Sequence, residues 1–224
     1  MNRGGFPLRK WTVNAPELLA DLAADQRERV DQSIGKDDTL KVLGLSWTPN
    51  DDSFCFVLCS ELITPPTKRS ILSFILKLYD PLGWAAPVVI TAKILLQELW
   101  LLKGDWDDPL PPELTDRWHA YYTDLPNLGT IRIPRWTGQH KENLGVEIHG
   151  FADASNRAYA AVIYLRVLHS FESVQISLLA AKTKVTPLKT VNIPRLKLNA
   201  AVLLCRLLKW TISFLNLSQA PIHR

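Results

Sequence analysis

From Val146 onward the chain alternates apolar and polar positions with a period of two. The first run is Val146-Glu147-Ile148-His149-Gly150-Phe151, and the pattern returns in Tyr159 to Leu165 and Val174 to Ala180. A period of two is the mark of strands with one covered face. Asn156 and Arg157 supply the first turn between them. After Pro187 and Pro194 the pattern gives way to an apolar helix, roughly Arg195 to Leu217. That helix is apolar nearly all round, which predicts cover on more than one side. Strand, strand, strand, helix is the order, and the short connections predict antiparallel hairpins.

The middle of the chain reads as helical. Pro65-Pro66 stops a strand, and Thr67 is placed to cap a helix reaching about Tyr79, with Ile71, Ile75 and Leu78 on one face. Asp80-Pro81-Leu82-Gly83 makes a turn, and a long helix runs from about Pro87 to Lys103. A third follows Pro109, Pro111 and Pro112, with Leu114, Trp118, Tyr121, Tyr122 and Leu125 at helical spacing. That aromatic stripe reads as core, and three helices with short connections predict a small bundle. Ahead of them, Val42 to Trp47 and Phe54 to Leu58 are strand-like runs flanking Thr48-Pro49-Asn50-Asp51-Asp52-Ser53, a hairpin pattern. Residues 1–40 read as a tail or joint. It holds the apolar anchors Phe6, Leu8 and Trp11, a short helix from Pro16 to Ala24 that Asn14 is placed to cap, and a charged linker from Asp25 to Asp38.

Composition adds bounds. Of 224 residues 47% are hydrophobic and 21% charged, which describes a chain able to bury real cores. The net charge of +4 permits a polyanionic partner without requiring one. Its distribution is more telling, because no Asp or Glu follows Glu172 while eight Lys and Arg residues do. Lys182, Lys184 and Arg195 in this acid-free stretch, with Lys68 and Arg69 in a first helical turn where the dipole disfavours cations, are the candidate nucleic-acid contacts. Cys55, Cys59 and Cys205 form no CxxC pair and no disulfide framework, which suits a reducing intracellular compartment. No histidine pairs with a cysteine at zinc spacing. The run from Trp84 to Leu102 is broken by Pro87, Lys93, Gln97 and Glu98, so it reads as a buried helix and no membrane association is expected.

Several ordered stretches carry a resemblance. They are Phe6-Pro7-Leu8-Arg9-Lys10-Trp11, Lys41 to Trp47, Thr67 to Ser73, Tyr79-Asp80-Pro81-Leu82-Gly83, Ala92 to Gln97, Gly150-Phe151-Ala152-Asp153-Ala154-Ser155, and Ala181 to Leu188 leading into Ile193-Pro194-Arg195-Leu196. Together they resemble the Pol polyprotein of Pao/BEL-class long-terminal-repeat retrotransposons. The resemblance implies an α+β chain in three parts. Residues 1–40 would be a tail from the end of a reverse transcriptase palm. Residues 41–143 would be a thumb- or connection-like hairpin with helices. Residues 144–224 would be a truncated ribonuclease-H-like domain of three antiparallel strands and one helix, with the strand that pairs on the far side of the first lying beyond the chain. A peptidase label travels with this region in the family, but the chain lacks the Asp-Thr/Ser-Gly tripeptide that an aspartic peptidase needs.

Ribonuclease H cleaves the RNA of an RNA–DNA hybrid with two Mg²⁺ ions held by clustered carboxylates. Read alone, Asp153 and Ser155 are residues that bond a strand-end turn. The resemblance gives Asp153 the place of the first-strand ligand. It implies a glutamate on the following helix, where this chain has Lys197. A cation there repels metal and could salt-bridge Asp153 in its stead. The polymerase turn, Tyr-X-Asp-Asp, does not occur; Asp37-Asp38, Asp51-Asp52 and Asp107-Asp108 lack that context. The expectation is therefore a degenerate or truncated Pol fragment without catalysis and without a stably bound metal. Two alternatives stand beside it: a non-specific binder of nucleic acid such as an RNA–DNA hybrid, and a nuclease completed by another chain, such as the remainder of a Pol polyprotein.

Overall fold

The computed structural model describes residues 11–20, 40–42, 45–57 and 65–223. Phe6, Leu8, Cys59 and the linker from Asp25 to Asp38 lie outside them. The architecture is α+β, with two four-stranded sheets and four α-helices among the described residues. Two compact units emerge. One draws on Met1–Val57 and Asn127–Trp136, the other on Leu58–Pro126 and Thr137–Arg224. The three middle helices, read from sequence alongside the hairpin, thus group with the C-terminal sheet.

In the first unit, β1 (Leu40–Val42), β2 (Leu45–Thr48), β3 (Ser53–Phe56) and β4 (Ile133–Pro134) form an antiparallel sheet in chain order. The run Val42 to Trp47, expected as one strand, is two: Val42 pairs with Leu45 as the chain reverses. A two-residue step with glycine second, Leu43-Gly44, is a hairpin signal that apolar composition masks. Between β2 and β3, Asp52 takes a left-handed φ of 46°. Its carboxylate accepts from Trp47 Nε1 at 3.0 Å and from Arg135 Nε at 2.5 Å. The expected helix from Pro16 is, over its described part, a single 3₁₀ turn, Pro16–Leu19. Ala15 stands at its cap with no side-chain bond, so Asn14 is not the cap; residues 21–24 are outside the description.

The second unit begins with α1 (Lys68–Leu76). Thr67 caps it, accepting from Ser70 N while the Ser70 hydroxyl takes the Thr67 N–H at 2.8 Å. Then come α2 (Ala86–Leu101) and α3 (Pro112–Asp124). Ile71, Phe74 and Ile75 of α1, Ala92, Leu95 and Leu99 of α2, and Trp118 of α3 form one core with Leu125. The aromatic stripe is core as read, with the Trp118 ring edge-on to Phe74 at 5.4 Å.

Next come β5 (Gly145–Ala154), β6 (Ala158–Leu168), β7 (Val174–Val185), α4 (Ile193–Leu215) and β8 (Ile222–His223), with sheet order β7-β6-β5-β8. β5, β6 and β7 pair antiparallel, as the short connections predict. Ile148, Ala161, Ile163, Leu165 and Val167 meet Leu203, Leu204 and Leu208 of α4 in a second core. Gly150 lets α4 come close: a Cβ there would stand 3.0 Å from Leu204 Cδ1.

One expectation needs correcting. The far side of β5 is not left to sequence beyond the chain, because β8 pairs there in parallel, Ile148 with Ile222 and His149 with His223. Asn216 at φ 54° ends α4 in the left-handed conformation that asparagine tolerates. The chain then turns back, and Pro221 O accepts the Ile148 N–H at 2.9 Å. By length and composition α4 could cross a membrane. Here one face packs on the sheet while Leu198, Val202, Trp210 and Phe214 stay exposed.

Candidate functional site

Asp153 lies near the end of β5, where the strand leaves the sheet toward Ser155, and Lys197 lies in the early turns of α4. Asn192 caps that helix, its Oδ1 accepting from Arg195 N at 3.0 Å, which fixes the direction in which the helix presents Lys197. The result is an ion pair: Lys197 Nζ stands 3.3 Å from Asp153 Oδ1, with 60% and 77% of the two side chains exposed. The Ala154 backbone N–H and, after it, Lys197 hold the Asp153 carboxyl below the usual carboxylate range. Ser155 serves the turn, its hydroxyl bonding Ala158 O at 3.2 Å and receiving the Arg157 N–H at 3.2 Å.

This pair does not fit a magnesium centre. Mg²⁺ takes oxygen ligands in a near-octahedral shell, and here an ammonium stands 3.3 Å from one oxygen of the carboxylate. Among the described residues Asp153 belongs to no cluster of three or more His, Cys, Asp or Glu ligands.

The other candidate residues divide. Lys68 Nζ donates to Leu102 O at 2.9 Å and Gly104 O at 2.8 Å, and Arg69 holds Asp107 with Nε at 2.7 Å and Nη2 at 3.0 Å. Both cations thus tie the start of α1 to the chain after α2. Of the polymerase-like acid pairs, Asp107 answers Arg69, Asp108 accepts from Asp105 N at 2.8 Å, and Asp52 answers Arg135. They are turn and pairing residues.

Lys182 and Lys184 line a groove of about 580 Å³ between the start of α2, β7 and α4. Lys93 and Arg206 also face it, and Asp80 is its one acid. Arg195 is exposed on α4 outside that lining. Sequence reading did not name Lys93, Arg206 or Trp210 as candidate contacts; they join the groove only when α2 and α4 meet β7. The signal available was modest: Arg206 and Trp210 stand four residues apart on one helix face.

The sequence model of the Pao retrotransposon-like RNaseH-like domain matches residues 67–223, which include all three middle helices as well as the β5–β8 sheet. A search of the curated proteins found no match. The matched span is well over half of the chain, and β7-β6-β5-β8 with α4 between β7 and β8 is an RNaseH-like α+β arrangement. The chain belongs to the Pao retrotransposon-like RNaseH-like domain family.

Proposed function

We propose that this chain is a fragment of a Pao-type Pol polyprotein whose ribonuclease-H-like unit does not cleave RNA–DNA hybrids. The observation that carries the reading is the Lys197–Asp153 pair at 3.3 Å. Two-metal hydrolysis needs one ion to activate water and a second to stabilise the leaving oxygen, both held by carboxylates. A single exposed carboxylate already paired to an ammonium can hold neither ion firmly. The test is a gel assay of a labelled RNA–DNA hybrid with Mg²⁺ or Mn²⁺, wild type against Asp153→Asn. Silence from both supports the proposal. Cleavage by the wild type that disappears in Asp153→Asn overturns it and favours a nuclease whose site is completed from elsewhere.

A second reading rests on the groove. Lys93, Lys182, Lys184 and Arg206 face one cavity with one acid, which supports non-specific binding of nucleic-acid phosphates. Such binding weakens linearly in log–log against salt, with a slope set by the phosphates contacted. Lys182→Glu with Arg206→Glu should lower affinity for a hybrid and flatten that slope. An unchanged slope would remove the groove from consideration.

A further inference from the structure

A second cluster stands on the sheet, away from Asp153. The period of two puts Glu147 and His149 on the same face of β5. The parallel register places His223 of β8 beside His149, with ring centroids 4.7 Å apart and planes 19° apart. His149 Nε2 lies 3.0 Å from Glu147 Oε2, and His223 Nε2 lies 3.9 Å from the same oxygen. One ligand atom from each residue falls within 4.8 Å of the others. A zinc ion held at about 2.0–2.2 Å by tetrahedral ligands sets them roughly 3.4 Å apart, so modest turns of the two rings close the difference. The side chains are accessible, with Glu147, His149 and His223 exposed by 25%, 29% and 53%.

Arg166 is the group that argues against a cation here, since its Nη1 donates to Glu147 Oε2 at 2.9 Å. Its register partner on β5 is Glu147 itself, so it approaches from the β6 side, whereas His149 and His223 lie along β5 and β8. Arg166 and His149 both bond Oε2, the oxygen that also stands 3.9 Å from His223 Nε2, so an ion between the imidazoles shares the carboxylate with Arg166, which bonds Oε2 from the β6 side. Outer-shell partners of this kind orient ligands. Two imidazoles with one carboxylate suit Zn²⁺, Co²⁺ or Ni²⁺ and disfavour Mg²⁺, which separates this cluster from the hard-ion chemistry considered at Asp153.

We propose that Glu147, His149 and His223 form a binding site for a divalent transition-metal ion of the Zn²⁺ class, with a fourth position open to solvent, and that the ion fastens β8 to the edge of β5. β8 is only two residues long and joins the sheet through one short parallel ladder. A ligand donated from each strand would cross-link them at that point.

The experiment uses the untagged full chain, titrated calorimetrically with ZnCl₂, and Co²⁺ as a spectroscopic probe of ligand geometry. One ion per chain is expected, with a visible Co²⁺ band and a rise in melting temperature on adding Zn²⁺. His223→Ala and Glu147→Gln should each weaken binding about tenfold or more and abolish the band, while His119→Ala on α3 should leave both unchanged. His149→Ala should match His223→Ala; should it fail to fold, His223→Ala, on the exposed two-residue β8, decides. Absence of binding to the wild type, or binding undiminished in His223→Ala, overturns the proposal. Mg²⁺ binding at the same concentration and the same residues would overturn the assignment to a transition metal.

Discussion

The carbonyl oxygen of Ala181 lies where a side chain on Gly83 would begin: a Cβ built there stands 1.8 Å from that oxygen, and Gly83 has φ +77°. The loop carrying Gly83 covers the outer edge of β7. Ala181 N donates to Leu82 O at 2.8 Å, and Trp84 Nε1 reaches Leu178 O at 3.1 Å and Leu179 O at 3.3 Å. The ladder between β6 and β7 shifts register beside these residues, at Ile163 and Tyr164, where a bulge frees backbone carbonyls. The Tyr79-Asp80-Pro81-Leu82-Gly83 stretch is therefore an edge guard, protecting β7 from pairing with another chain.

Gly83→Ala should be strongly destabilising. A left-handed φ costs a non-glycine residue about 1–2 kcal/mol, and forcing a methyl against backbone adds roughly 1–3 kcal/mol. Urea unfolding should show a loss of about 3 kcal/mol, read as a lower midpoint at unchanged slope. A loss under about 1 kcal/mol would mean that the loop does not hold this position on β7.

Glu98 of α2 receives Arg117 from α3 and Arg157 from the turn after β5, so one carboxylate joins three elements. The Arg117 hydrogen bond, the largest influence, holds its carboxyl below the usual range against burial, which ranks second, with the charges of Arg117 and Arg157 adding to the lowering. A lowered folded pKa contributes stability above the unfolded pKa and loses it as pH falls through the folded one. Glu98→Gln should therefore cost about 1 kcal/mol at neutral pH, the scale of partly exposed pairs. The gap between variant and wild type should narrow below about pH 4. A gap that widens in acid would contradict this assignment.

Tyr121 presents a different balance. Its hydroxyl is buried with no hydrogen-bond partner among the described residues, and burial pushes its ionisation far up. The ring stacks on Trp118 at 5.7 Å. Tyr121→Phe keeps the ring and removes a desolvated polar group, so stability should hold or rise by about 1 kcal/mol. A melting temperature lowered by several degrees would reveal a bond to the hydroxyl that the fold does not display.

What could be read from sequence follows the range of the interactions. Thr67 was legible as a cap because its partner, Ser70, is three residues away. The period of two marked β5, β6 and β7 because each strand reports its own covered face. Asp153 and Lys197 came from motif order, and their salt bridge from charge alone. What escaped is long-range. Nothing near Gly83 announces Ala181, and nothing near His149 announces His223, since both pairings exist only once α2 and β8 have docked. The reversal between β1 and β2 was local yet missed, because Leu43 and Leu45 continue an apolar run across Gly44.

Lys197→Glu restores a second carboxylate opposite Asp153, and it should not yield robust cleavage. The substitution replaces an ammonium 3.3 Å from Asp153 Oδ1 with a second carboxylate. Two carboxylates facing each other repel, and a divalent ion relieves the repulsion, so weak Mg²⁺ or Mn²⁺ binding should emerge where the wild type has little. Both groups are well exposed, and water competes for every ligand position. A two-metal mechanism also needs further oxygen ligands to set the attacking and leaving oxygens in line. No Asp or Glu follows Glu172 to provide them from α4 or β8. The measurement pairs metal titration with the hybrid-cleavage gel for wild type, Lys197→Glu and the double variant Lys197→Glu/Asp153→Asn. Metal binding gained in the first variant and lost in the second, with no cleavage in any, is the expected result. Cleavage by Lys197→Glu that vanishes in the double variant would show that the lysine alone silences the site.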